Sequence, residues 1–261
     1  YPFRTGVGGP VGGTQPGLDL DETVLPELLD EHLGEDVRHA VIGKWHLADV
    51  ENGQNESPNR HGFQHYAGLI RGVLPDYWSW EKVTNGVVSQ NNTYATTDTV
   101  NDAIDWLDGK EDPWFLMVAF SAPHTPLHVP PDTLHRSSTL QEGPCPMNKN
   151  YECFMAMIEA MDTEIGRLLD SLSESQRAHT QIFFIGDNGT ANGVLRSYPS
   201  RTGKDTLFEG GVHVPMCSQG PAIVNPGRST TALTDVTDLF ATTLDLMGAR
   251  PDPNVVIDGR S

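Results

Sequence analysis

The sequence predicts an α/β fold with a largely parallel central sheet and helices on both faces. Short apolar runs that stop abruptly at glycine or polar residues predict buried strands at Ala40–Ile42, Trp114–Phe120 and Ile182–Ile185. Apolar residues that recur at three- and four-residue steps predict helices before, between and after these strands. Because strands and helices alternate along the whole chain, a parallel sheet covered by helices is expected.

Three of the four predicted helices have a start or stop signal, and the helix from Phe154 to Leu172 is predicted from its spacing alone. The helices run from Asp21 to Gly34, from a cap at Thr97 to Gly109, from Phe154 to Leu172 and from Thr234 to Gly248. Residues 50–92 have no strong periodicity, and the aromatic residues Tyr77, Trp78 and Trp80 lie in this stretch. It fits either a binding rim or an irregular insert that packs on itself.

Composition and cysteine content exclude several classes of protein. The formal net charge is −18, which argues against nucleic acid or an anionic membrane surface as a partner. No apolar run is long enough for a transmembrane helix. Cys145, Cys153 and Cys217 form no C-x-x-C pair, which excludes a zinc finger. Cys145 and Cys153 could form a disulfide, but the sequence does not decide this.

Two candidate metal ligands follow the predicted strand Ile182–Ile185. Asp187 and Asn188 come directly after its apolar residues. Ligands of open α/β sheets bind outside the carboxyl ends of the strands. Carboxylate and amide oxygens suit Ca²⁺ or Mg²⁺. The alternative is an ordinary Asp-Asn-Gly turn, since these residues are common in turns.

Lysines and histidines follow the other predicted strands. Lys44 and His46 come after Ala40–Ile42, and they point to the same side if the segment stays extended. His124 and His128 lie in a proline-rich loop, and one of the two is a catalytic candidate. Lys204 lies in a glycine-containing loop from which it could reach an anion. Each could also be an ordinary packed or surface residue. Together with a divalent metal, these groups suit hydrolysis of an anionic ester.

Four motifs, in this order, resemble those of the type I sulfatase family of the alkaline-phosphatase-like superfamily. IGKWHLAD resembles the family's GKWHLG, with Ala48 where glycine usually stands. SAPHTPLHVP, FFIGDNG and GKDTLFEGGVHVP resemble its later motifs, and TDLFATTLDLMG resembles its last core helix. His213 stands where many members carry arginine. The resemblance covers nearly the whole chain and implies an alkaline-phosphatase-like fold.

The resemblance also implies roles for the candidate residues. Asp187 and Asn188 would bind Ca²⁺, in preference to Mg²⁺. His124 would protonate the leaving alcohol and, with Lys204, bind the sulfate. His46 would assist the hydroxyl of a formylglycine nucleophile, and Lys44 would anchor it. The substrate would be a sulfated glycan or an aryl sulfate, and the enzyme would work in a periplasmic, extracellular or lysosomal compartment.

The formylglycine of this family is made by dedicated machinery from a cysteine in C-x-P-x-R. None of the three cysteines stands in that motif. Family members carry the modified cysteine shortly before a segment like YPFRTGV, with which this chain starts. We therefore expect residues 1–261 to be one catalytic domain, truncated at both ends. It would lack the N-terminal strand, the nucleophile segment and the C-terminal subdomain, and would itself be inactive.

Two other hypotheses fit the same residues. One is a phosphate or phosphonate ester hydrolase of the same superfamily, and the other is a non-catalytic relative that binds anionic glycans. The residue at the nucleophile position separates them, since cysteine in C-x-P-x-R indicates a sulfatase and serine or threonine indicates phosphoryl chemistry. The sulfatase hypothesis also predicts that all six candidate residues surround one tetrahedral anion at the carboxyl edge of the sheet.

Overall fold

The structure is a computed structural model that describes residues 2–12, 15–34, 36–111, 113–252 and 255–261. The helices are α1 (Pro2–Thr5), α2 (Leu25–Leu33), α3 (Ser57–Arg60), α4 (Ala95–Leu107), α5 (Asn150–Ser171), α6 (Glu174–His179), α7 (Glu209–Val212) and α8 (Val236–Met247). The strands are β1 (Arg38–Lys44), β2 (His65–Leu69), β3 (Trp80–Thr84), β4 (Val87–Asn91), β5 (Trp114–Ala119), β6 (His128–Val129), β7 (Gly143–Pro144), β8 (Ile182–Ile185) and β9 (Met216–Gln219).

The chain divides into two compact units. The first consists of Tyr1–Ser121 with Thr231–Ser261, and the second of Ala122–Thr230. Within the described residues, no helix has both the length and the apolar character that crossing a membrane requires.

The first unit contains a five-stranded mixed sheet in the order β4-β3-β2-β1-β5. Strand β1 pairs in parallel with both β2 and β5, whereas β3 pairs antiparallel with β2 and β4. The predicted α/β class is confirmed, with the parallel pairing confined to the three strands β2, β1 and β5. The antiparallel hairpin is joined at Asn85 and Gly86, both at positive φ, as the turn of a two-residue hairpin requires.

Residues 50–92 are therefore part of the sheet, supplying β2, β3 and β4. Tyr77 and Trp80 are buried, and the Tyr77 ring lies 6.0 Å from that of Tyr94. Trp78 packs on the same Tyr94 ring at 5.3 Å. The aromatic residues thus belong to the interior rather than to a binding rim.

All four helix starts differ from the sequence prediction, since α5 begins at Asn150 rather than Phe154 and α8 at Val236 rather than Thr234. Helix α2 begins at Leu25, not at Asp21, with a proline in its first turn, where the missing N–H costs nothing. Helix α4 begins at Ala95, so Thr97 lies inside its first turn and does not cap it. The predicted ends hold, since α2 is followed by Gly34 and α8 by Gly248, both at positive φ.

Two glycines near the carboxyl ends of β1 and β2 have backbone conformations that leave no space for a side chain. Gly43 has φ 109° and Gly68 has φ 155°. A Cβ on Gly43 would lie 2.8 Å from the Ala119 carbonyl carbon of β5, and closer still to its oxygen. A Cβ on Gly68 would lie 2.6 Å from the Gly43 carbonyl carbon. Neither position has room for a side chain.

The long helix α5 organises the core of the second unit. Its residues Cys153, Ala156 and Met157 are buried, which confirms that its methionine face belongs to the core. Cys153 forms a disulfide with Cys145, while Cys217 is a free, exposed cysteine.

Strand β8 differs from its prediction in both pairing and burial. It pairs antiparallel with β9 in a two-stranded sheet, and Phe184 is 39% exposed. We expected a parallel strand covered on both faces. A two-stranded ribbon does not enclose its strands in this way.

Candidate active site

Lys44 and His46 lie at the carboxyl end of the parallel strands. Lys44 is the last residue of β1. Beyond it, the Trp45 N–H donates to the Leu69 carbonyl (2.9 Å) and the His46 N–H to the Ile70 carbonyl (3.0 Å), which extends the ladder with β2. His46 has φ 57°, so the segment does not stay extended. The alternation on which we based a common direction for Lys44 and His46 therefore does not apply.

Trp45 anchors the segment between these two candidates. Its indole Nε1–H donates to the Ser57 hydroxyl at 3.0 Å, and Ser57 is fully buried. The indole also packs on the rings of His61 at 5.7 Å and Phe63 at 5.9 Å. The hydrogen bond and the ring contacts thus fix Trp45, the residue that precedes His46. His46 therefore leaves the sheet at a defined point.

Gly72 provides the surface on which the His46 imidazole lies. A Cβ at Gly72 would be 2.6 Å from Nδ1 of His46, and closer still to Cε1 and Nε2. Ordinary van der Waals contact needs at least 3.4 Å. The ring therefore occupies the space that any side chain at Gly72 would need. Our sequence reasoning missed both Trp45 and Gly72, because each acts through a tertiary contact.

Asp49 and Asn52 close the turn that follows His46. The Asp49 carboxylate accepts from the N–H groups of Gly17, Glu51 and Asn52. These hydrogen bonds, that from Gly17 foremost, hold the pKa of Asp49 below its usual value. Asp49 at the end of the IGKWHLAD motif is thus a structural residue that fixes the turn.

The structure distinguishes the two histidines of the proline-rich loop. His128 is 3% exposed, and its Nδ1 lies 2.9 Å from the Pro126 carbonyl oxygen. His124 is half-buried, with Nδ1 3.0 Å from the Thr125 carbonyl oxygen. Since a carbonyl oxygen only accepts, this contact places the proton of neutral His124 on Nδ1.

Asp187, Asn188 and Lys204 belong to two loops of the second unit that are joined directly. The Lys204 backbone N–H donates to the Thr190 carbonyl at 2.9 Å, two residues after Asn188. The side chain of Asn192 donates to the Lys204 carbonyl at 3.3 Å. The structure therefore joins the backbone at Lys204 to the loop that follows Asp187 and Asn188.

Asp187 and Asn188 are the two predicted calcium ligands. Asp187 is exposed and Asn188 half-buried, and both offer oxygen donors of the kind Ca²⁺ prefers. Ca²⁺ takes six to eight oxygen ligands in general. Within the part of the chain that the structure describes, no group of three or more His, Cys, Asp or Glu residues could hold a metal ion. The donors fit calcium in type, and a complete shell needs further ligands.

Comparison with known proteins gives the family. A family model described as Sulfatase matches residues 2–249. This chain belongs to the sulfatase family. It is 29% identical to the N-acetylgalactosamine-6-sulfatase of Canis lupus familiaris over 267 residues, which cover 93% of this chain and 48% of that protein. It is 25% identical to arylsulfatase G of Mus musculus, covering 94% and 53%. The sulfatase chain spans about half the length of the curated relatives it matches.

Solved structures confirm the alkaline-phosphatase-like fold. The crystal structure of Ps i-CgsB superposes with a TM-score of 0.80 at 27% identity, covering 96% of this sulfatase chain and 59% of that one. Its complex with k-i-k-neocarrahexaose gives 0.79 at 26% identity, covering 97% and 58%.

The candidate residues of this sulfatase chain are divided between the two units. Lys44 and His46 belong to the first, and the other four belong to the second. The shared cluster of all six around one anion remains a prediction.

Proposed function

We propose that residues 1–261 are the catalytic domain of a sulfuric ester hydrolase that removes sulfate from a sulfated glycan. The observation that carries this proposal is the family match over residues 2–249, which includes all six candidate residues. The backbone hydrogen bond between Lys204 and Thr190, two residues after Asn188, supports it further, because it brings the loop of the predicted cation against the loop that follows the predicted metal ligands.

In the proposed mechanism the residues of this chain bind the ester and move two protons, one at each of two histidines. Lys204 holds the sulfate oxygens and stabilises the negative charge that develops on them, while Lys44 anchors the attacking group. His124 donates a proton from Nε2 to the oxygen of the leaving alcohol, because Nδ1 is held by Thr125. His46, seated on Gly72, accepts the proton of the attacking hydroxyl.

Two groups outside this chain complete the proposal. A formylglycine hydrate would supply the attacking hydroxyl, since none of the three cysteines here stands in C-x-P-x-R. Asp187 and Asn188 would contribute to a site for Ca²⁺, which supplies positive charge opposite the sulfate.

The substrate class and the compartment rest on separate observations. One structural relative was solved with a carrageenan-type hexasaccharide, and the curated relatives include sulfatases named for N-acetylgalactosamine. Both support a glycan as the substrate. The disulfide Cys145–Cys153 supports an oxidising compartment, periplasmic, extracellular or lysosomal, because disulfides seldom persist elsewhere.

The test is turnover by the full-length protein that contains this chain, made together with formylglycine-generating machinery. We expect hydrolysis of an aryl sulfate reporter, and no hydrolysis of the matching aryl phosphate. His124→Ala should lower kcat by about 10²–10⁴-fold, the usual contribution of a general acid. His179→Ala is the matched control, since His179 is an exposed histidine on α6 of the same unit.

The alternatives give different outcomes in the same assay. Hydrolysis of the phosphate alone would favour a phosphoryl-transfer relative. If mass spectrometry finds neither a formylglycine nor a serine or threonine at the nucleophile position, and neither ester is cleaved, the protein is a non-catalytic binder. The 261-residue chain by itself should show no turnover above its His124→Ala variant, because the attacking group is absent.

A further inference from the structure

Three Asn-x-Ser/Thr sequences occur in the chain, beginning at Asn55, Asn91 and Asn188. Each has the residue types that an acceptor site for an N-linked glycan needs. The pattern is short, so the sequence by itself assigns a glycan to none of them. A glycan is bulky and solvated, and the folded protein must therefore leave the site open to solvent. The structure separates the three sequences on this point.

The first and third of these sequences are built into packed parts of the fold. In the first, Ser57 is fully buried, and its hydroxyl accepts from the Trp45 indole at 3.0 Å. In the third, Asn188 is half-buried, and a Cβ on Gly189 would lie 2.6 Å from Cα of Gly211. The hydroxyl of the first sequence and the backbone of the third are thus committed to contacts within the fold.

The sequence Asn91-Asn92-Thr93 is open to solvent. Asn92 and Thr93 are exposed, and Asn91 is half-buried at the end of β4. The Thr93 N–H donates to Oδ1 of Asn91 at 2.7 Å, which closes a turn of the Asx type. Within the part of the chain that the structure describes, Nδ2 of Asn91 makes no hydrogen bond. The amide oxygen is therefore engaged, while the amide nitrogen, the atom that carries an N-linked glycan, is not.

Trp80 of the neighbouring strand holds the backbone of this sequence in place. Asn91 is paired with Trp80 in the β3–β4 ladder. The Trp80 indole Nε1–H donates to the Thr93 carbonyl at 3.2 Å, and Trp80 is only 3% exposed. Both contacts reach the main chain, so the side chains of Asn91 and Thr93 can be changed without removing them.

Strand β4 is an edge strand without the usual protection. It forms one end of the five-stranded sheet, and its outer side pairs with no other strand among the described residues. Its sequence, Val-Val-Ser-Gln-Asn, contains neither charge nor proline, which commonly prevent edge-to-edge pairing. Val87 and Val88 are 69% and 46% exposed. A bulky, hydrophilic group at the end of this strand would hinder the approach of another strand.

We propose that Asn91 carries an N-linked glycan that shields the open edge of β4. The donor is an oligosaccharide on a polyisoprenyl diphosphate. Nδ2 of Asn91 forms a bond to the anomeric carbon of the first sugar and loses one proton. The bond from that carbon to the diphosphate oxygen breaks, the lipid diphosphate leaves, and nothing is oxidised or reduced. The proposal rests on the exported compartment of the proposed function, but not on its hydrolase chemistry.

Glycopeptide mass spectrometry of the protein purified from its own source is the deciding measurement. Release of the glycan by peptide-N-glycosidase in water labelled with heavy oxygen converts the asparagine that carried it into a labelled aspartate. We expect the label at Asn91 and at neither Asn55 nor Asn188. An unlabelled Asn91 would overturn the proposal. Label at either of the other two asparagines would also overturn it, because the fold would then not select the site.

Variants of the full-length protein, secreted from a eukaryotic host, test the sequence requirement. Asn91→Gln and Thr93→Ala each destroy the acceptor sequence, and each should lose the mass of one glycan. Asn92→Gln is the matched control, because it changes the neighbouring exposed amide and keeps Asn-x-Thr, and Thr93→Ser should keep the glycan as well. Should Asn91→Gln fail to be secreted, Thr93→Ala gives the same result with Asn91 intact. Equal masses of Thr93→Ala and Thr93→Ser would overturn the proposal.

Light scattering of the same proteins tests the shielding. Asn91→Gln and Thr93→Ala should show a larger scattering mass than Asn92→Gln, since two bare edges can pair. Val88→Lys added to Asn91→Gln should reverse this, because a charge protects the edge in place of the glycan. Equal scattering masses of the bare and glycosylated proteins would overturn the shielding.

The result for Asn91 is separate from the result for catalysis. If Asn91 carries the glycan while the full-length protein cleaves no sulfate ester, the glycan site stands and the proposed hydrolase function fails. If the full-length protein is active and Asn91 is bare, the glycan site alone fails.

Discussion

Gly72→Ala should displace the His46 imidazole while leaving the fold intact. The new Cβ would lie 2.6 Å from Nδ1, where ordinary contact needs at least 3.4 Å, so the ring or the loop beneath it must move by roughly 1 Å. Gly72 is not among the glycines at positive φ, so alanine adds no backbone strain. Gly→Ala at a compatible position also stabilises by about 0.4–1 kcal/mol through the unfolded state. Most of the effect should therefore fall on His46.

The expected loss of activity is large compared with the loss of stability. A displacement of about 1 Å at a catalytic group can lower the rate about 10²-fold. We expect kcat/KM for an aryl sulfate to fall by that order in the full-length protein, with the thermal midpoint within a few degrees of the original. In the 261-residue chain, the ring signals of His46 in a histidine NMR spectrum should shift, which requires no activity.

Gly166→Ala is the control for this substitution. Gly166 lies in α5 with no atom within 4 Å of its added Cβ, so activity should be unchanged. Gly72→Ala with full activity and unshifted His46 signals would refute the positioning argument. If His46→Ala is fully active as well, the catalytic role of His46 is itself wrong.

Three further predictions concern the metal, the disulfide and pH. Asp187→Ala in the full-length protein should sharply lower both Ca²⁺ affinity, measured calorimetrically, and activity, and retention of both would exclude Asp187 as a ligand. Cys145→Ser should lower the free energy of unfolding by about 2–3 kcal/mol in chemical denaturation, because the disulfide closes a short loop of sequence separation 8, and an unchanged value would contradict this. Burial first, and then the charges of Lys110 and Lys82, lower the pKa of His65 below 6.5. The neutral imidazole is therefore favoured in the folded state. Its contribution to the free energy of unfolding is fully present above pH ~6.5 and is lost as the pH falls below that value, because the unfolded state then binds the proton more readily. Between about pH 7.5 and 5.5, the free energy of unfolding measured by denaturation should fall less in His65→Gln than in the unsubstituted protein. An identical fall in the two proteins would refute this prediction.

The elements with strong local patterns were predictable from the sequence. Strands β1, β5 and β8 are apolar runs, and α5 shows helical spacing over six turns. Strand β2 was missed because its sequence, HYAGL, is interrupted by histidine and glycine and forms no apolar run, and β4 was missed because it is exposed at almost every position. The Asn85-Gly86 pair, a known signal of a two-residue hairpin, could have located β3 and β4.

The candidate site was predictable in its residue types but not in its supporting contacts. Lys204 and Asn188 were identified from their positions after glycine and after a strand, and the structure joins their loops. The backbone turn at His46 depends on the positive φ of that residue, which no sequence pattern predicts. Gly72 is one of 26 glycines in the sequence, and only the fold shows that a ring lies on it.

Gly43 and Gly68 lie where a side chain would meet the backbone of the neighbouring strand. The glycine of the Gly-Lys-Trp-His motif is required for strand packing, whether or not the lysine and histidine beside it do chemistry. A pseudoenzyme that has lost its nucleophile would have to keep Gly43, because any side chain there would force β1 away from β5. In a saturation mutagenesis library scored for folded protein, Gly43 and Gly68 should reject every substitution, whereas Lys44 should accept many. The glycine of the motif thus indicates a folded sheet, and only the polar residues of the motif indicate catalysis.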